Sequence, residues 1–164
     1  MKSIQSPYKE LLDDLLAGLK QALGENLVSL AVYGSVARGD CRKDSDIDIL
    51  IICKILPKEK LRRQELFIEV EDGLDLEPLY NEGFYPNFSP VLKTVEEANF
   101  LTPLYLDMVE DAVILYDEED FFKNILYILR ANLKKHRAKR VSIGKKWYWD
   151  LKPDLKYGEV VVIE

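Results

Sequence analysis

The chain has 164 residues, 48% of them hydrophobic and 32% charged, with a formal net charge of −6. That length suits one domain with a real core, and the mixture is that of a globular protein rather than a disordered or fibrous one. No apolar run is long enough to cross a bilayer and residues 1–7 lack a signal peptide's apolar centre, so a cytoplasmic location is the expectation.

Cys41 and Cys53 are too few for a disulfide framework, and a single histidine, His136, rules out a multi-histidine zinc site. Charge is unevenly spread. Residues 1–121 carry 12 Lys or Arg against 25 Asp or Glu, and residues 122–164 carry 11 against 4, a split of −13 and +7.

In chain order, Ser6-Pro7 is a helix start with a capping hydroxyl and a proline at the first helical position. Tyr8, Leu11, Leu12, Leu15, Leu19 and Leu23 then recur at helical spacing until Gly24. Leu27 to Tyr33 and Ile47 to Cys53 are apolar strands. Pro57 opens a charged helix that ends near Asp72-Gly73. Leu74-Asp75-Leu76-Glu77-Pro78-Leu79-Tyr80 alternates with period two and predicts a strand, with Pro78 restricting it to an edge. Residues 81–93 read as a loop bordering the site, and Thr94-Val95-Glu96-Glu97 as a capping box for a short helix that Pro103 interrupts. Ala112 to Tyr116 is a further strand, followed by acids 117–120 and a long helix to Leu133. The tail interleaves Lys and Arg with Trp147, Tyr148 and Trp149, and residues 159–164 suggest a last edge strand. The expected fold is α/β, a small mixed sheet flanked by helices in one domain, 1–140, with a basic, aromatic extension, 141–164, packed on it.

Chemistry concentrates between the two apolar strands. Gly34 lets the backbone approach a ligand, Ser35 opens a short helix whose free N–H groups face an anion, Arg38 lies one turn on, and Gly39 lets the chain leave. Past the loop, Asp46 and Asp48 project from one face of the second strand. A Gly-Ser turn and acidic loop would also suit a plain hairpin, but that leaves Asp48 inside Ile-Asp-Ile-Leu-Ile-Ile unexplained, where an unpaired charge is costly. Two carboxylates with only oxygen donors nearby call for Mg²⁺ or Mn²⁺.

Gly34-Ser35, Gly39 and Ser45-Asp46-Ile47-Asp48 resemble the signature of the DNA polymerase β-like nucleotidyltransferase superfamily, and the short chain is most similar to its minimal members, related to the kanamycin nucleotidyltransferase domain. The resemblance implies transfer of a nucleoside monophosphate from a nucleoside triphosphate, such as ATP, to an acceptor hydroxyl. It gives Asp46 and Asp48 the metal, and Gly34, Ser35, Arg38, Gly39 and Ser45 the nucleotide. It also implies a third carboxylate from a neighbouring strand, for which Asp75 is preferred and Glu77 the alternative. The partners it leaves open are an acceptor of unknown kind, a helical HEPN-type protein neutralised by binding or nucleotidylation, and a second copy of the chain. Basic residues beside aromatics in the tail also suit a nucleic acid, although the acidic net charge and the absence of a known RNA-binding module weigh against one. A nucleotide-binding relic without catalysis is the remaining reading.

Overall fold

The structure, a computed structural model, describes residues 4–144 and 146–160, with Lys146 by its backbone alone. Its sheet is built from β1 (Leu27–Tyr33), β2 (Ile47–Cys53), β3 (Phe88–Thr94) and β4 (Val113–Asp117) in the order β3-β2-β1-β4. β1 pairs antiparallel with β2 and β4, and β2 runs parallel to β3, so the sheet is mixed.

Helices cover both faces, which is why the central strands are apolar apart from Ser29 and Asp48 instead of alternating. On one face α1 (Tyr8–Leu23), α3 (Lys60–Glu71) and α4 (Glu77–Asn81) pack on Ile47, Ile49, Ile51 and Cys53 through Leu12, Leu15, Phe67 and Leu79. On the other, α5 (Val95–Ala98), α6 (Pro103–Asp111) and α7 (Phe121–Lys135) cover Leu50 and Ile52 with Tyr105, Met108, Phe122 and Leu129. Asp48 belongs by alternation to this second face.

Four expectations are corrected. Residues 74–80 form no strand. Asp75 Oδ1 accepts a hydrogen bond from the Glu77 N–H at 3.0 Å, and Pro78 sits in the first turn of α4, where its missing donor costs nothing. The strand lies instead at 88–94, in the segment read as loop. Its polar positions hid it: Ser89 and Lys93 break the apolar alternation, and Pro90 is tolerated because β3 is an edge strand. Ser6 does not cap α1, for its hydroxyl donates to Glu10 Oε1 at 2.5 Å. The charged helix begins at Lys60 rather than Pro57.

In the tail, β5 (Lys139–Ile143) and β6 (Lys146–Asp150) form an antiparallel hairpin, so β5 crosses the expected boundary at 140/141. Of the strand expected at 159–164, residues 161–164 lie outside the described residues, and Glu159 and Val160 are irregular.

The outer edge of β3 is closed by an ion pair. Arg63, with a side chain 11% exposed, reaches Glu97 through two N–H groups at 2.6 and 2.9 Å and donates to the Leu92 carbonyl at 3.4 Å and the Pro57 carbonyl at 2.6 Å. Glu97 also completes the capping box of α5 with Thr94. Chiefly through Arg63, its carboxyl is pulled from 4.5 to about 2. A carboxylate depressed in the fold contributes stability that is present above its unfolded pKa and is lost as pH falls from about 4.5 through 2. Arg63→Ala should therefore destabilise the chain at pH 7 by about 1–2 kcal/mol, less than for a fully buried pair because Glu97 is 44% exposed. The deficit should shrink toward pH 3. Urea melts at the two pH values check both statements, and a deficit independent of pH would assign the loss to packing.

Candidate active site

The loop between β1 and β2 holds the candidate site. α2 (Gly34–Arg38) begins directly at the end of β1, and Gly34 has φ +70, a left-handed conformation. A Cβ on Gly34 would lie 2.1 Å from Oδ2 of Asp48 and 3.1 Å from its Cγ. The start of the helix and the carboxylate thus touch with no room between them. Gly39, at φ +78, ends α2 by donating its N–H to the Ser35 and Val36 carbonyls, and Asp40 donates to the Ser35 carbonyl as well.

The returning loop is tied down locally. Ser45 Oγ accepts from the Arg42 N–H at 2.8 Å, so this hydroxyl shapes the loop. Tyr8 donates to the Arg42 carbonyl at 3.0 Å, Tyr85 N–H to the Lys43 carbonyl at 2.7 Å and Ile47 N–H to the Asn87 carbonyl at 2.8 Å. These bonds deliver Asp46 and Asp48 to the mouth of the sheet, Asp46 exposed and Asp48 half-buried.

Burial pushes the Asp48 carboxyl above its ordinary range, and the charge of Asp46 pushes it further. The Ser89 hydroxyl, its register partner on β3, and the Arg38 guanidinium act in the opposite direction. The neighbouring strand thus brings a serine to Asp48, and β3 carries no acid at all.

The further acid comes from a helix. Asp107 on α6, which packs against α2, adds to the upward push on Asp48, and both charges help burial raise the Tyr33 hydroxyl to about 12. Asp107 is itself raised by burial, with Arg140 and Arg38 as its counter-charges. The sequence reading missed it, since a lone acid in Leu-Tyr-Leu-Asp-Met-Val reads as the solvent side of a helix. Asp75 and Glu77 stand elsewhere. Both are exposed, and Asp75 lines a cavity with Asp14, Gly18 and Val70 between α1 and α3, on the face of the sheet opposite to Asp48.

Residues 12–100 match the model of the nucleotidyltransferase domain. The chain belongs to the nucleotidyltransferase family. It is 31% identical over 139 residues to a protein of Methanocaldococcus jannaschii named "Putative protein adenylyltransferase", covering 84% of this chain and 90% of that one. Among solved structures, the spectinomycin adenyltransferase of Enterococcus faecialis, bound to ATP and spectinomycin, superposes with a TM-score of 0.52 at 12% identity over 78% of this chain and 65% of the other, a likeness of fold. A toxin-antitoxin complex with an ATP analogue (AMP-PNP) gives a TM-score of 0.48 at 16% identity, over 76% of this chain and 91% of the other.

For a nucleotidyltransferase the acid pair fits a divalent ion. Its donors are all oxygens, and a cation would relieve the repulsion that disfavours ionised Asp48. Among the described residues no three His, Cys, Asp or Glu side chains gather closely enough to hold a metal by themselves. Two carboxylates, with substrate phosphates and water completing the shell, is the arrangement Mg²⁺ favours. Among the described residues no helix is long and apolar enough to cross a membrane.

Proposed function

We propose that this nucleotidyltransferase moves AMP from ATP to a hydroxyl group on a protein. The observation that carries the reading is the contact of the Gly34 turn with the Asp48 carboxylate, which sets free backbone N–H groups for phosphate beside carboxylates for a metal. A protein acceptor is supported by the relative named for protein adenylylation, and a HEPN-type helical protein is one acceptor of that class. A nucleic acid is not favoured on an acidic chain.

In this mechanism Gly34 and Ser35, with the Arg38 guanidinium, grip the outer phosphates, while Gly39 and Ser45 shape the loop that holds them. Asp46 and Asp48 would hold Mg²⁺ or Mn²⁺, which supplies charge neutralisation on the triphosphate. The acceptor oxygen attacks the α-phosphorus as the bond to the bridging oxygen breaks and pyrophosphate leaves. Asp107, in place of Asp75 or Glu77, receives the acceptor proton or orders the group that does. A raised carboxyl at the site mouth suits that task better than a fully solvated one.

Calorimetric titration of ATP into the chain, with and without Mg²⁺, tests the site. Binding that requires metal and vanishes in the Asp46→Asn, Asp48→Asn double variant is expected. Equal binding by the folded variant would sink the two-carboxylate reading. Incorporation of label from α-labelled ATP into protein, absent with small-molecule hydroxyls alone, then checks the acceptor class.

A further inference from the structure

Arg140, on β5 of the C-terminal hairpin, is the strongest counter-charge to Asp107. Several contacts fix its place. Its Nη1 donates to Asp111 Oδ2 at 2.7 Å, where Asp111 is 3% exposed, and its Cζ lies 3.9 Å from the centre of the Trp147 ring. Its cross-strand partner Trp149 donates its indole N–H to the Leu106 carbonyl at 3.1 Å. Leu106 immediately precedes Asp107, and Asp111 lies one helical turn beyond it. The hairpin therefore grips the turn of α6 that bears Asp107 from both ends.

Stapling a chain end to the core needs only the apolar contacts that Trp149 and Leu151 make with the α6–α7 layer. It does not need a guanidinium, 24% exposed, held between an indole ring and a buried carboxylate, and the charge placed there bears on Asp107 as well as on its partner Asp111. The groups whose charge bears on Asp107 are Arg38 from α2, Arg140 from β5 and Asp111 from its own helix, and its own charge is felt by Asp48 on β2 and Tyr33 on β1. Arg38 and Arg140 reach Asp107 from different elements, one from the phosphate helix and one from the tail.

We propose that Arg140 is a positioning residue for nucleotidyl transfer and that the β5–β6 hairpin is a wall of the active site, holding Asp107 toward the Asp46–Asp48 pair. This rests on Asp107 being the third acid. Arg140 gives and takes no proton and makes no bond to nucleotide or acceptor. The basic residues of the tail thereby acquire a role inside the reaction, separate from any partner they meet.

The test follows pyrophosphate release from ATP with Mg²⁺, in the presence of the protein acceptor that the α-label assay identifies, by the full chain and its Arg140→Gln, Arg140→Lys and Asp107→Asn variants. Arg140→Gln should lower kcat about tenfold or more with KM for ATP unchanged, the signature of a lost alignment rather than lost binding. Arg140→Lys, which keeps the charge, should recover most of the rate, and Asp107→Asn should lose at least as much as Arg140→Gln. A damaged Asp107→Asn beside an undamaged, folded Arg140→Gln overturns the positioning role alone. An undamaged Asp107→Asn overturns the reading of Asp107 and this one with it, and an unsubstituted chain that labels no protein overturns the proposed function beneath both. Loss in Arg140→Lys equal to that in Arg140→Gln, together with a lower melting temperature, makes the hairpin a mere staple and also overturns the proposal. Where Arg140→Gln does not fold, the Arg140→Gln, Asp111→Asn double variant, which removes the buried charge that Arg140 faces, carries the same comparison.

Discussion

Asp48→Asn should melt at a higher temperature than the unsubstituted chain at pH 7.5 while transferring nucleotide roughly a thousandfold more slowly. Both effects come from one fact, that a half-buried carboxylate stands beside Asp46 at the end of a strand of isoleucines. Because its pKa is raised in the fold, the ionised form is disfavoured by folding. The penalty is fully present above the folded pKa and is lifted as pH falls through it toward the ordinary 3.8. The amide removes the penalty at every pH, so the gain should be largest near neutrality and vanish in acid. The lost rate has the scale of losing one charge placed to neutralise the developing phosphate charge. ATP with Mg²⁺ should reverse the order of stability, since it stabilises only the chain that binds it. Differential scanning calorimetry at pH 7.5 and pH 4, with and without ATP and Mg²⁺, reads all of this. A variant that melts lower than its parent at pH 7.5 would mean that the carboxylate stabilises the fold, and the account of Asp48 as a strained functional group would fail.

The parts of this site that were legible in the sequence are those carried by contiguous residues. β1 and β2 were readable to the residue because buried central strands are apolar runs that end in turn signals, and Gly34-Ser35 and Asp46-Ile47-Asp48 stand at those ends. The capping box at Thr94 was readable because both its hydrogen bonds lie within four residues. What escaped is what depends on contacts distant in the chain or on edge positions. Pairing with β2 makes β3 a strand despite Ser89, Pro90 and Lys93, and no local pattern announces that pairing. Leu74 to Tyr80 alternates by accident, for a proline in a first helical turn and an Asp that binds the next N–H but one produce the same letters as a short edge strand. Asp107 reads as the wet side of an amphipathic helix until α6 is laid against α2. The same holds for Arg140, whose charge looked like part of a solvated tail until β5 and β6 closed on α6.

Gly34→Ala should abolish metal-dependent ATP binding, whereas Gly39→Ala should leave a measurable fraction of it. The two glycines have nearly the same backbone, φ +70 and φ +78, so alanine pays the same left-handed strain at each, about 1 kcal/mol. Their surroundings differ. A Cβ at Gly39 meets nothing within 4 Å, while one at Gly34 would stand 2.1 Å from Asp48 Oδ2, 3.1 Å from its Cγ and 3.4 Å from its Cβ. Rotating the carboxylate alone would clear Oδ2 but leave Cγ at 3.1 Å, so either α2 lifts from the strand or Asp48 turns away from Asp46. Either movement separates the N–H groups intended for phosphate from the carboxylates intended for metal. The difference between the two variants, measured by urea melts and by titration with ATP and Mg²⁺, cancels the backbone strain and isolates that contact. Adding Asp48→Ala to Gly34→Ala makes room for the new methyl group. It should restore most of the stability that Gly34→Ala loses beyond Gly39→Ala, without restoring binding. Equal losses of binding at Gly34 and Gly39 would show that the left-handed turns alone shape the site. A Gly34→Ala chain that still binds ATP with Mg²⁺ as tightly as its parent would show that the approach of Gly34 to Asp48 is not what joins the phosphate and metal halves.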